Sequence, residues 1–239
     1  MRTPHHKEYV HHQNPHISSQ VREVVFGMED GLVSTMGAIT GIAAATSDPF
    51  IVLLSGFVII AVESVSMGVG SYLSSKSEKE VSLKKISEER GELIDHREAE
   101  EHELNELYLK NGWSEELTKK MVKEASGKPD LFLNEMALHE LKIIPDNLEQ
   151  PFENGIMMGI SYIIGGAIPL VPYLLLPVHS ALLLSVPLTM GGIFLLGMGT
   201  TKFTGRAWWK AGLEMFLLAG AAALVGYGVG RVADYFIAR

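Results

Sequence analysis

Two carboxylates stand side by side, Glu29 and Asp30, inside "VVFGMEDGLVSTMGAITGIAAA", a stretch otherwise made of apolar and small residues. A third, Glu63, stands four residues before Met67 in the apolar run "PFIVLLSGFVIIAVESVSMGVGSYLSS". An ionisable side chain at mid-bilayer costs about 2.5–3.5 kcal/mol on insertion scales, so these acids must face protein or water and must do something there. Carboxylate oxygen alone suits Mg²⁺ or Ca²⁺, and an added thioether moves the preference toward a transition metal such as Fe²⁺. A carboxylate also exchanges such an ion for a proton. The same residues fit a structural polar pair, and the chemistry alone does not choose between the two.

The elements that must position them are long helices. About 20 helical residues span the roughly 30 Å hydrocarbon core, and five segments reach that length: 22–46, 50–74, 154–176, 181–201 and 209–236. Too few polar residues remain in 239 to wrap five such helices in water. A cleaved signal peptide fits the first segment poorly, because the apolar run starts some twenty residues in and carries two acids. Lys and Arg concentrate in the region after the second segment and in "TKFTGRAWWK", whereas "TSDP" and "LPVHS" have neither. The positive-inside rule therefore predicts a cytoplasmic N-terminus and insert, with Trp208 and Trp209 anchored at that interface. On that topology Asp30 and Met67 both lie about 10–12 Å into the membrane.

At about 100° per residue, Glu23, Gly27, Asp30, Ser34, Gly37 and Gly41 fall on one stripe of the first helix, with Glu29 on another face. Gly56, Glu63, Met67, Gly70 and Ser74 form a matching stripe on the second. The Gly37/Gly41 spacing reads as a helix-packing seam.

Charge is segregated. Residues 76–149 hold 12 basic and 19 acidic side chains, although the whole chain is only 20% charged, with a net charge of −8 and a mean hydropathy of +0.18. This insert reads as three helices: one running to Gly112, one capped by Ser114 and one following Pro129. If the first is continuous, Glu89, Glu92, His96, Glu100 and Glu103 lie within about 80° of one another. Four carboxylates on one face repel, and a divalent cation resolves the repulsion. A solvated acidic face is the plain alternative. A ferritin-like di-iron site is excluded, since Leu93, Ala99 and Met136 stand three before His96, His102 and His139 where Glu is required. Absence of cysteine removes disulfides and thiolate chemistry. No nucleophile, phosphate loop or cofactor fingerprint suggests an enzyme, and "GYGVGR" reads as helix packing.

These residues resemble the vacuolar iron transporter family, through "FGMEDGLVST", "SMGVGSYLS", the Glu-rich insert and "SYIIGGAIPLVPY". The resemblance implies an all-α polytopic membrane protein with five spans and a three-helix cytoplasmic insert. It further implies a homodimer that exports Fe²⁺, and often Mn²⁺ or related ions, against protons. The domains expected are a His-rich tail over 1–21, spans over 22–75, an acidic metal-binding insert over 76–152 and spans over 153–239. By motif, the pathway takes Asp30 and Met67, joined by Glu63 and Glu29. The insert ligands become Glu89, Glu92, Glu100, Glu103, Met136 and Glu140. Three positions depart from the family pattern: Ala137 stands for a methionine, Ser71 for a glutamate common among members, and Glu29 for an asparagine. Partners implied are divalent metal, protons, lipid and a second copy, with no nucleic acid, and no prosthetic group is expected. Plasma membrane and vacuole-like compartments stay open. A membrane-anchored metal buffer or sensor, with spans that only tether it, is the competing function. Five histidines in "MRTPHHKEYVHHQNPH" suggest a weak metal-collecting tail or an unstructured terminus.

Overall fold

A computed structural model describes residues 17–221. They form helices α1 (Ile17–Ala45), α2 (Pro49–Asp95), α3 (Arg97–Lys110), α4 (Glu115–Ser126), α5 (Pro129–His139), α6 (Pro151–Leu175), α7 (Val178–Thr204) and α8 (208–221). A 3₁₀ turn at Pro145–Asn147 precedes α6. No strand occurs among the described residues. The chain divides into two compact units, one containing 73–150 and the other containing 17–72 and 151 onward.

Three described stretches are long and apolar enough to cross a bilayer: α2, Pro145–Leu175 and α7. With 29 residues α1 is long enough, but Glu29, Asp30 and its Ser, Thr and Gly positions dilute its apolar content. Most of the fifth expected segment, 209–236, lies outside the described residues, as does most of the His-rich tail. The expected five-span layout is thus seen as three apolar stretches, one polar-striped helix and the beginning of a fifth.

In the unit containing α1, α6 and α7, close packing comes from glycine. Gly27, Gly31, Thr35, Ile39 and Ala43 of α1 are buried at four-residue steps, and α6 is the partner. A Cβ on Gly31 would collide with the Tyr162 carbonyl oxygen, and one on Gly165 with that of Met28. Only glycine permits backbones this close. The buried stripe is therefore turned from the one read in the sequence: it keeps Glu23 and Gly27 and replaces Asp30 and Ser34 by Gly31 and Thr35. Gly37 and Gly41 are exposed with nothing within 4 Å, so they form no seam within this chain. The apolar core gathers Ile39, Val52, Ile60, Leu170 and Tyr173. Exposed Phe50, Leu54, Phe57, Val62 and Val65 give α2 an apolar outer surface. Pro169 and Pro172 lie inside α6 and Pro187 inside α7; such breakers are tolerated where neighbouring helices and hydroxyls satisfy freed backbone groups. Gly205, at φ 66°, ends α7 in the left-handed conformation, its N–H bonding the Thr201 carbonyl at 2.9 Å.

The other unit is built around Leu104, Tyr108, Val122, Ala125, Phe132 and Met136. Here the sequence reading needs a correction. The first insert helix is not continuous to Gly112: α2 stops at Asp95, His96 takes φ −130° and ψ 36°, and α3 starts afresh at Arg97. The insert therefore carries the end of α2 plus three further helices. No Pro or Gly marks the break. The new start is favoured by Glu98 and Glu100 in its first turn, where negative charge meets free N–H groups. The His96 carbonyl accepts from Ala99 N–H at 2.8 Å and from Glu100 N–H at 3.2 Å.

Candidate functional site

The break decides the geometry of the acidic site. In a straight helix Glu89 and Glu100 would be about 16 Å apart along the axis, too far to share an ion. Instead Glu89 at the end of α2, Glu100 on α3 and Glu140 just after α5 converge, each placing a carboxylate oxygen within 4.8 Å of the others. Glu89 is 3% exposed and Glu100 7%. One oxygen of each of the three, Glu89 Oε1, Glu100 Oε2 and Glu140 Oε2, is buried without a hydrogen-bond partner. Buried carboxylates are normally paired or ligate metal, and no Lys or Arg bridges any of these three among the described residues.

Electrostatics agrees with the crowding. Burial first, and then the charges of Glu140 and Glu100, push the Glu89 carboxyl up to about 8. The contact between the Glu89 and Glu140 carboxyls adds to the rise at Glu89 and opposes it at Glu140. Burial and the neighbouring acids, Glu103 foremost, also raise Glu100 and Glu140. Glu92 and Glu103 lie exposed at the margin yet act on this cluster through their charge. Met136 is wholly buried in the apolar core, one turn before Glu140, whose N–H bonds its carbonyl at 2.8 Å. Ala137 is wholly buried beside it.

A clamp not read from the sequence fixes α5 on α3. The Tyr108 hydroxyl donates to Glu135 Oε2 at 2.8 Å, His139 Nε2 lies 3.4 Å from the same oxygen, and Asn111 Nδ2 meets His139 Nδ1 at 3.0 Å. The Tyr108 and His139 rings meet edge to face at 5.1 Å. Burial and the bond to Glu135 hold the Tyr108 phenol above its usual range. The clamp sets the position of α5, and with it that of Glu140.

In the other unit Glu29, Asp30 and Met67 are half-buried and Glu63 is exposed in the single chain. Asp30 and Glu63 lie within electrostatic reach of each other, and both act on Tyr162 of α6. Tyr162 is wholly buried, its hydroxyl sharing a 2.6 Å hydrogen bond with Ser34. Near the start of α1, Glu23 is 3% exposed, paired with Arg22 Nη2 at 2.9 Å. Ser71 donates to Glu23 Oε2 at 2.7 Å, so the residue standing where the family often has Glu hydrogen-bonds an acid already present on α1. Sequence reasoning placed Glu23 on the polar stripe but not in the site, and passed over Tyr162. The available signal was a tyrosine in the otherwise apolar run "SYIIGGAIPLVPY".

Comparison with known proteins points the same way. The chain is 27% identical to vacuolar iron transporter 1 of Arabidopsis thaliana over 228 residues, covering 94% of this chain and 91% of that one. It is also 27% identical to vacuolar iron transporter 1 of Eucalyptus grandis over 223 residues, covering 92% and 90%. The vacuolar iron transporter of Toxoplasma gondii is 29% identical over 225 residues, covering 90% of this chain and 74% of the relative. The profile of the VIT family matches residues 21–231. By that match, which spans nearly the whole sequence, the chain belongs to the VIT family.

Proposed function

We propose that this protein is a membrane transporter, not an enzyme, that moves Fe²⁺, and by the same chemistry Mn²⁺ or similar divalent transition ions, out of the cytosol in exchange for protons. The relatives are named as iron transporters, and the long apolar helices fit an integral membrane protein. The reading rests above all on the convergence of Glu89, Glu100 and Glu140 with one unpartnered buried oxygen each. Glu92, Glu103 and Met136 complete the collecting domain. The ion then passes to Glu29, Asp30, Glu63 and Met67, where carboxylate and thioether donors favour a borderline metal, and returning protons replace it. The N-terminus and insert are cytoplasmic, five helices cross the membrane, and two copies assemble along the exposed small-residue surface of α1 and α2.

Reconstitution tests this. Purified protein in liposomes, with a metal dye and a pH dye inside, should take up Fe²⁺ with proton counterflow, and Asp30→Ala should abolish both. Uptake that survives Asp30→Ala unchanged would remove the mechanism. Deleting 80–148 separates this reading from a tethered metal buffer: a transporter keeps metal-driven proton flux, whereas a buffer loses every metal-dependent signal.

A further inference from the structure

A cavity of about 290 Å³ lies where α2 has left its apolar run, lined by Glu78, Lys79, Ser82, Lys142, Asn147 and Glu149. Glu78 and Lys79 pair with nothing among the described residues, although Lys76 and Lys84 on the same helix reach Glu80 and Glu88 at 3.8 and 3.4 Å. Lys142 is the one non-glycine residue among those described with a left-handed backbone, at φ 57°. Side chains seldom adopt that conformation, and such outliers gather at functional sites. The Lys142 ammonium donates to the His139 carbonyl and keeps two further hydrogens for a ligand.

Size and charge narrow the ligand. The volume stands at the small end of ligand cavities, which run roughly 300–1,000 Å³, so it takes a headgroup and not a whole lipid. Two ammonium groups suit a phosphate, with Ser82 and Asn147 as neutral donors. Two carboxylates in the same wall repel a ligand that is anionic throughout, yet suit one that also carries an ammonium. Depth supplies the source. Helix α2 is unbroken from Pro49 to Asp95, so Glu78 and Lys79 stand about 8–9 Å beyond Leu73, the last apolar residue of the run. The headgroup layer is roughly 5–8 Å deep on each side of the hydrocarbon, and a lysine stem bridges the remainder. We propose that this cavity holds the headgroup of a zwitterionic lipid with a primary ammonium, phosphatidylethanolamine, its phosphate on Lys79 and Lys142 and its ammonium on Glu78, beside Glu149. The N–H donors of that ammonium set the choice, because the trimethylated head of phosphatidylcholine has none. Lys142 follows Glu140 by two residues, so a bound headgroup steadies the segment bearing that acid. The assignment needs α2 to cross the bilayer and is independent of metal transport.

In the test, full-length protein purified in detergent is offered phosphatidylethanolamine, phosphatidylcholine and phosphatidylglycerol at equal mole fraction, and native mass spectrometry counts the lipid that each protomer keeps. Phosphatidylethanolamine should be kept about tenfold over either of the others, about 1.4 kcal/mol of preference. Glu78→Gln with Lys79→Gln should erase that preference while helicity by circular dichroism stays unchanged. Lys76→Gln with Glu80→Gln, a charge pair outside the cavity wall, should leave it intact. Equal retention of phosphatidylcholine overturns the ammonium contact, and stronger retention of phosphatidylglycerol overturns the zwitterion. A preference that survives the cavity variant puts the lipid elsewhere and ends the proposal. Displacement of bound lipid by equimolar free phosphoethanolamine assigns the site to a soluble ester and overturns the membrane source.

Discussion

Glu89 is the residue on which the acidic cluster turns. Its carboxyl is raised to about 8, against about 4.3 for an unfolded glutamate. A raised acid favours the folded state while protonated, and that contribution is lost as pH climbs from the unfolded value through the folded one. Without metal the insert should therefore melt at a higher temperature at pH 5 than at pH 8, as circular dichroism would record. Glu140→Gln removes one charge from the crowd. It should raise the metal-free melting temperature at pH 8 and weaken Fe²⁺ or Mn²⁺ binding at least tenfold by calorimetry, roughly what even outer-shell changes cost at metal sites. Ala137→Met, which restores the family residue, places a long side chain at a wholly buried position and should destabilise the insert by about 1–3 kcal/mol in denaturant titration. The acids were legible in the sequence as residue types at helical spacing, but the single face expected of an unbroken helix is not how they meet: the break at His96 brings Glu89 and Glu100 together. Glu140 and Met136 came only from family resemblance: their approach depends on how α5 packs, which no local pattern encodes.

Among the elements, α1 shows how small a change in periodicity redirects a helix. A stripe read at 3.6 residues per turn carries Asp30 and Ser34, whereas the helix buries Gly27, Gly31 and Thr35 at steps of four. Backbone contact at glycine decides this, and side-chain polarity does not report it. Gly31→Ala should accordingly destabilise the membrane unit, since its Cβ meets the Tyr162 backbone carbonyl and cannot be relieved by rotating a side chain. The cost should be about 1–3 kcal/mol, read as an earlier loss of helicity on heating in detergent. The break at His96 was illegible for the opposite reason. "LIDHREAEEH" is rich in helix formers without a breaker, so local propensity favours continuity. Burial of Leu104 and Tyr108 against α4 and α5 requires α3 to leave the line of α2.

For the whole molecule, segregated charge made the separation of an acidic stretch from long apolar helices legible, and the described residues divide into a unit holding 73–150 and one holding 17–72 and 151 onward. How copies associate was not legible, because an exposed glycine has one appearance toward lipid and toward protein. Gly37→Leu with Gly41→Leu touches nothing within the chain. If two copies meet there, as proposed, light scattering in detergent should show the dimer mass fall to that of a monomer while helicity persists. The dispersal of Glu89, Glu100 and Glu140 over three segments has a last consequence. An ion gripping all three fastens stretches some fifty residues apart in sequence, so loading and folding become one equilibrium. At a hundred times the Kd, bound metal adds about 2.7 kcal/mol to the stability of the folded form. If the insert binds metal as proposed, limited proteolysis should cut it faster without metal than with saturating Fe²⁺ or Mn²⁺, and equal rates would separate loading from folding.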